Sequence, residues 1–337
     1  MMKFRYIPFC AILSIVMQAI DAEEVVLNSV PQAYLPASGT VGRLSNVSDS
    51  SRGVWLDNGT NWTSVSAETF NVKQFGAKGD GDSDDIGAIL AAVNAADARG
   101  GGIVLFPPGR YLVSDAIPMR NNLQYVGMGN ATHIQLKTGS QNNVFGEAFP
   151  LASVHNVVIR DLMIDGNSGN VPLTIDDSLL NGIRWNQVSY SKITNVTIIN
   201  TVFNAISIYN QSHNNLVAFN RIQNIGNTQA EGTKCGVFLE FAASRNRIVC
   251  NDIISTQQYG ILESGDGARS ENNLIKGNYI GSSKYDGIRI GFDKTNSIIS
   301  GTKIIENTIE GVSDDQSQGI RLYHAGTGTI EDILVFG

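Results

Sequence analysis

The sequence predicts an all-β fold, a parallel β-helix with an N-terminal capping helix, and three observations carry that prediction. The first is a repeat in which a small residue plus an aliphatic opens a strand, at Gly182-Ile183, Ala205-Ile206, Gly236-Val237, Gly260-Ile261, Gly287-Ile288 and Gly319-Ile320. Successive openings lie 23, 31, 24, 27 and 32 residues apart. Units of that size cannot bury an apolar face alone and must stack as a solenoid. The second is an Asn-x-Ile closing, at Asn220, Asn251, Asn278 and Asn307, whose amides are expected to stack in a ladder rather than to serve function. The third is period-two alternation in runs such as Ile206-Ser207-Ile208 and Ile288-Arg289-Ile290, which selects strands over helices.

The elements follow in order along the 337 residues. Residues 1–22 read as a signal peptide, with Lys3 and Arg5 before the apolar run Ile7 to Ile20 and Ala22 at the cleavage point. That run is too short to span a membrane as a helix. The chain is therefore expected to be secreted, extracellular or periplasmic. Residues 23–67 form a turn-rich lead-in, where Val41 to Val47 and Gly53 to Trp62 suit short hairpins around Asp57-Asn58-Gly59. Residues 68–337 are expected to form the β-helix, which stops in mid-strand at Leu334-Val335-Phe336-Gly337, so either the sequence is a fragment or another chain covers that end. Within it a helix is expected from about Asp84 to Ala98. Ser83 is placed to cap it, Ile86, Ile89, Leu90 and Val93 form its stripe, and Gly100 to Gly102 stop it. Ile103 to Phe106 is the next strand, Pro107-Pro108-Gly109 a turn, and Tyr111 to Val113 a strand. Cys235 and Cys250 fall in one coil, where a disulfide is an alternative to the simpler reading of small buried residues.

Four stretches carry a resemblance: Asn71-Val-Lys-Gln-Phe-Gly-Ala-Lys-Gly-Asp-Gly-x-x-Asp-Asp, Ala88-Ile89, Gly-Gly-x-Val-x-Phe-Pro-Pro-Gly-x-Tyr at 101–111, and Val157 to Asp165-Gly166. On these the chain resembles the pectate-lyase-like superfamily, the rhamnogalacturonase/epimerase-like parallel β-helix proteins, from about residue 68 onward. The resemblance implies a right-handed, single-stranded helix. It also implies a groove on the outer face of one parallel sheet, in which polysaccharides are cleaved, eliminated or epimerised.

Alternation assigns the faces independently. Ile183, Ile206, Ile208, Val237, Leu239, Ile288, Ile290, Ile320 and Leu322 should point into the coil; Arg184, Ser207, Phe238, Leu262, Arg289 and Arg321 should form one outward column. Arg184, Arg289 and Arg321 suit bidentate pairing with sugar carboxylates, and Phe238 offers an exposed ring for stacking on sugar. The expected catalytic residues are Glu240, Glu263, Arg289 and Arg321. The expected substrate-binding residues are Arg184, Tyr209, Phe238, Asp293, Tyr323 and His324. A retaining glycosidase needs carboxyl groups about 5–5.5 Å apart, which makes Glu240 with Glu263 a candidate pair. Glu263 stands at a nominally inward position, so the pair requires a bulge or an early turn after Leu262. His324 and the Tyr209 and Tyr323 hydroxyls supply further proton donors or acceptors.

Composition narrows the partners. A net charge of −7 argues against nucleic acid, leaving a polysaccharide substrate as the expected partner and either a monomer or a homotrimer as the assembly. No metal-ligand Cys or His spacing occurs, and no cofactor is required. Calcium is the one cation that Asp80, Asp82, Asp84 and Asp85 would suit, but Asp-Gly turns and a capped helix explain every one of those residues and are the stronger reading. Alginate epimerases carry an Asp-Pro-His run after a Tyr-Gly pair, and the nearest match, Asn204 to Tyr209, keeps neither the acid nor the imidazole. The Asn-x-Asp, Asp-Asp, Gly-His-Gly and Arg-x-Lys runs of polygalacturonases are absent in that order. Two functions remain. One is cleavage of an acidic, pectin- or alginate-like polysaccharide by lyase or hydrolase chemistry; the other is a non-catalytic glycan-binding or adhesin-like surface protein.

Overall fold

The computed structural model describes residues 68–146, 153–173, 179–292 and 295–337, with the backbone of four strands before them. Residues 1–22, expected to be a signal peptide, lie outside the described residues. The chain divides into two units, Met1–Glu68 and Thr69–Gly337. In the first, Leu44–Val47, Gly53–Asp57 and Trp62–Ser64 form an antiparallel meander, as the turn signals predict, and Ser29–Val30 joins it in parallel through Leu44–Val47.

The second unit is a stack of parallel strands. One sheet runs through Ile117–Pro118, Phe145–Gly146, Ile183–Asn186, Ile206–Tyr209, Cys235–Glu240, Tyr259–Ser264, Ile288–Phe292 and Ile320–His324. A larger sheet carries the strands that end each coil, including Arg221–Ile225, Asp252–Thr256, Tyr279–Ser283 and Thr308–Glu310. Ile183, Ile206, Ile208, Val237, Leu239, Ile288 and Ile290 are all fully buried between the sheets, as alternation requires. Leu322 keeps register with Ile290 but is 51% exposed, because no described coil stacks on its outer side.

The opening glycines have a steric cause. A Cβ on Gly260 would lie 2.3 Å from Ile280 Cγ2 and 2.6 Å from the Gly287 carbonyl, so the two sheets meet there too closely for a side chain. The closing asparagines stack as expected. Asn220, Asn251 and Asn278 each donate through Nδ2 to Oδ1 of the next coil's asparagine, Asn251, Asn278 and Asn307, at 2.9 Å in every case. Those oxygens also accept the backbone N–H of the preceding coil, which satisfies turn groups that would otherwise be buried unpaired. A second stack runs through Asn215, Asn246 and Asn273, five residues earlier in each coil.

The N-terminal helix spans Ile86–Ala98, two residues later than expected. Its N-cap is Asp85, not Ser83, and Asp85 makes no side-chain cap bond because its carboxylate is already taken by the Lys78 and Gly79 amides. The buried stripe is Ile89, Ala92, Val93 and Ala96, with Ile86 only partly covered, and it joins the main core against the first strands. Small alanines let the helix sit close to the strands beneath it. The chain leaves the helix through Arg99, with Gly100 and Gly101 returning hydrogen bonds to Asp97 and Ala96.

Candidate functional site

The outward column forms in register. Arg184 pairs with Ser207, Ser207 with Phe238, Phe238 with Leu262, Leu262 with Arg289, and Arg289 with Arg321. A neighbouring row on the same face runs from Glu240 through Ser264 and Gly291 to Tyr323, and Asn186 and Tyr209 hold the equivalent offset in the two preceding coils. Parallel strands about 4.8 Å apart turn these sequence-distant residues into neighbours.

The column is not uniform. At one end the Arg184 guanidinium lies 4.5 Å from the centre of the Tyr209 ring, and Tyr209 meets Phe241 edge-on at 5.2 Å. At the other end Arg289 lies 4.1 Å from the Tyr323 ring centre and donates a hydrogen bond to the Tyr259 hydroxyl, while Arg321 lies 5.1 Å from the same Tyr323 ring. Stacked guanidinium groups of this kind are held in plane, which favours bidentate pairing with a carboxylate. Between the two ends the column is uncharged and covered. Phe238, at 4% exposure, packs with Cys235, Leu262 and Tyr259 and is not the exposed stacking platform expected of it. It faces outward as predicted, but the neighbouring aromatic and aliphatic side chains close over it.

Glu240 and Glu263 do not form a pair. Glu263 stays in strand Tyr259–Ser264, in register with Leu239 and Ile290, and is completely buried on the inner face. Neither the bulge nor the early turn occurs, because the carboxyl finds partners inside: Asn273 Nδ2 donates to it at 2.8 Å and Thr302 Oγ1 at 3.0 Å. Burial pushes the Glu263 carboxyl up to about 7, against those hydrogen bonds. Glu263 is thus part of the interior and cannot meet substrate on the outer face, whereas Glu240 is half-buried on the groove side. Tyr323 is half-buried and His324 exposed at the end of the same sheet. Asp293 lies outside the described residues.

Tyr259 is the residue that sequence reasoning missed. Strict alternation from Ile261 puts it inside, but Gly260 and Ile261 both face the core at the sheet corner, so Tyr259 turns outward, in register with Cys235. A cleft of about 210 Å³ opens there, lined by Tyr259, Gln258, Leu262, Ser264, Arg289 and the Gly232-Thr233 loop. Gln258 fixes that loop, accepting from the Lys234 amide at 3.0 Å and donating to the Gly232 carbonyl at 3.1 Å. At the cleft floor a Cβ on Gly291 would fall 2.1 Å from the Tyr323 carbonyl, so only glycine fits. Burial pushes the Tyr259 hydroxyl up from its usual range, against the pull of the Arg289 charge.

The acidic turn does not fit a cation. Asp80 accepts from the Ser83 and Asp82 amides, which hold its carboxyl down to about 2; Asp84 is bridged to Lys137 at 3.5 Å; and Asp85 holds the Lys78 and Gly79 amides. These oxygens are spent on turns, and among the described residues no three His, Cys, Asp or Glu side chains gather to hold a metal. Cys235 is a buried thiol outside any disulfide, so the bridge to Cys250 is not made. Among the described residues, no helix is long and apolar enough to cross a membrane.

Residues 69–289 match the family described as rhamnogalacturonase A/epimerase, pectate lyase-like. A mannuronan C5-epimerase of Azotobacter vinelandii, AlgE6, is 41% identical over 146 residues, which are 38% of this chain and 16% of the relative. Alginate lyase 7 of the same organism is 40% identical over 117 residues, 32% of this chain and 14% of the relative. The chain therefore spans less than a fifth of the length of these curated relatives. Among solved structures, ORF18 of Geobacillus virus E2 superposes with a TM-score of 0.58 at 18% identity, covering 91% of this chain and 74% of that one. An exopolygalacturonase of Thermotoga maritima superposes at 0.56 and 14% identity, covering 80% and 75%. These likenesses show the parallel β-helix fold.

Proposed function

Since the chain belongs to the rhamnogalacturonase A/epimerase, pectate lyase-like family, we propose that it acts on an acidic polysaccharide along the outer face of its eight-stranded sheet. The observation that carries this reading is the outward register of Arg184, Arg289 and Arg321 beside Tyr209, Tyr259 and Tyr323. Similarity to mannuronan epimerases and an alginate lyase supports a polyuronate as the substrate class. Export from the cell, expected from the N-terminal segment, belongs to the same proposal.

The arrangement favours proton abstraction over two-carboxylate hydrolysis. Glu240 has Ser264 as its register neighbour in the following coil, and Glu263 is on the other side of the backbone. Glu263 therefore cannot be the partner carboxylate that a retaining glycosidase would need beside Glu240. A lyase needs less. A base removes the proton on the carbon next to the sugar carboxylate, and the electron pair forms the new double bond. The bond to the neighbouring sugar oxygen then breaks, and a nearby acid protonates that oxygen. Arg289 would neutralise the carboxylate as charge develops on it, with Glu240 and the tyrosine hydroxyls supplying base and acid. Returning the proton to the opposite face instead would give epimerisation.

Purified protein should be screened on pectin, polygalacturonate, alginate and hyaluronan. Absorbance from unsaturated ends reports elimination, reducing ends without that absorbance report hydrolysis, and a change of uronate stereochemistry reports epimerisation. The expected result is unsaturated product from a polyuronate, lost in Glu240→Gln. Retention on the polymer with no product would support the glycan-display alternative, and neither binding nor product on any polyuronate would overturn the reading.

A further inference from the structure

We propose that the face carries two separate carboxylate stations and therefore binds long anionic glycans far better than short ones. This rests on the acidic-polysaccharide reading above and adds a length requirement to it. The first station is Arg184 on Tyr209. The second is Arg289, held by Tyr259 and faced by Tyr323, with Arg321 beside it. Four register steps separate Arg184 from Arg289, through Ser207, Phe238 and Leu262. At roughly 4.8 Å per step the stations stand about 19 Å apart along the sheet.

Within the column itself, the described residues between them carry no cationic side chain. Ser207, Phe238 and Leu262 are 4%, 4% and 8% exposed and form an uncharged floor. A short oligouronate can therefore satisfy one station only. A chain long enough to reach both makes its second contact intramolecularly, at a high effective concentration, and gains on the order of 100-fold in affinity without any new type of contact. The second station is also the more selective of the two. Its guanidinium is fixed on one side by the Tyr259 oxygen and sits at a cleft whose wall, the Gly232-Thr233 loop, is pinned by Gln258. A planar fork so held matches a carboxylate better than a sulfate or a neutral sugar.

The test is calorimetric titration of Glu240→Gln, which prevents turnover, with oligogalacturonates and oligomannuronates from dimers to octamers and with neutral cello-oligosaccharides as control. The expected result is a step in affinity at the length that first spans both stations. Arg184→Gln and Arg289→Lys should each return long oligomers to the short-oligomer affinity, and the double variant should weaken short oligomers as well. Thermal melts of each variant report folding independently of binding. Uronate binding that rises smoothly with length, or that keeps its step in both single variants, overturns the two-station proposal and leaves the substrate class intact. Failure of every oligouronate to bind overturns both.

Discussion

At Glu263 a carboxyl sits in the coil interior because the second asparagine stack changes there. Asn215, Asn246 and Asn273 occupy equivalent positions, and the register from Leu274 to Lys303 places Thr302 where the next asparagine would stand. Thr302 is too short to offer Asn273 an acceptor, and the Glu263 carboxyl takes that place. Its effect on stability has a definite sign. The folded-state value, raised to about 7 by burial, lies above the ordinary carboxylate value of 4.5 that the unfolded chain retains. Stability from this group is therefore complete below about pH 4.5 and is lost as pH rises through 7, by at most about 3 kcal/mol. Glu263→Gln should melt at a higher temperature than the parent at pH 8 and should flatten the fall between pH 5 and 8, as measured by calorimetry. A parent whose melting temperature rises across that window would contradict this. The sequence marked Glu263 as the carboxylate that breaks the alternation, and the alternation proved correct. What it could not supply was the pair of donors, 10 and 39 residues away, that make an inward carboxyl tolerable.

At the scale of the coil, the repeated glycine and asparagine do different work. The glycines let two sheets approach, and the asparagines satisfy turn groups coil by coil. Gly260→Ala should cost about 1–3 kcal/mol, because its Cβ would overlap Ile280 and the Gly287 carbonyl. Gly169→Ala, in a turn where a Cβ would meet nothing within 4 Å, should be close to neutral. Denaturant midpoints of the two variants check this directly, and equal losses would refute the steric account. The asparagine ladder was legible because Asn-x-Ile recurs at a fixed offset. Tyr259 was not, since the backbone faces the core at both Gly260 and Ile261, and period-two counting across that corner inverts the assignment. Phe238 was placed on the correct face but with the wrong exposure, because its cover comes from Tyr259 in the next coil.

At the scale of the whole molecule, contacts separate Met1–Glu68 from Thr69–Gly337. A protein beginning at Glu68 should retain a single cooperative unfolding transition and the polyuronate affinity of the full chain, read by thermal melt and titration. Loss of the β-rich circular dichroism spectrum would show that the lead-in is required for folding. The helix Ile86–Ala98 remains in that shorter chain, which matters because its Ile89, Ala92, Val93 and Ala96 belong to the main core. Legible in the chain before folding are the solenoid, its parallel stacking, the faces of most strand residues and the membership of the arginine column. Those properties follow from periodicity, which is local and repeats. Contacts between coils put Glu240 and Glu263 on opposite sides of one sheet, cover Phe238, set Tyr259 against Arg289 and divide the arginines into two groups. Each of these depends on how a corner bends or which neighbouring coil supplies a partner, and a one-dimensional repeat does not encode such contacts.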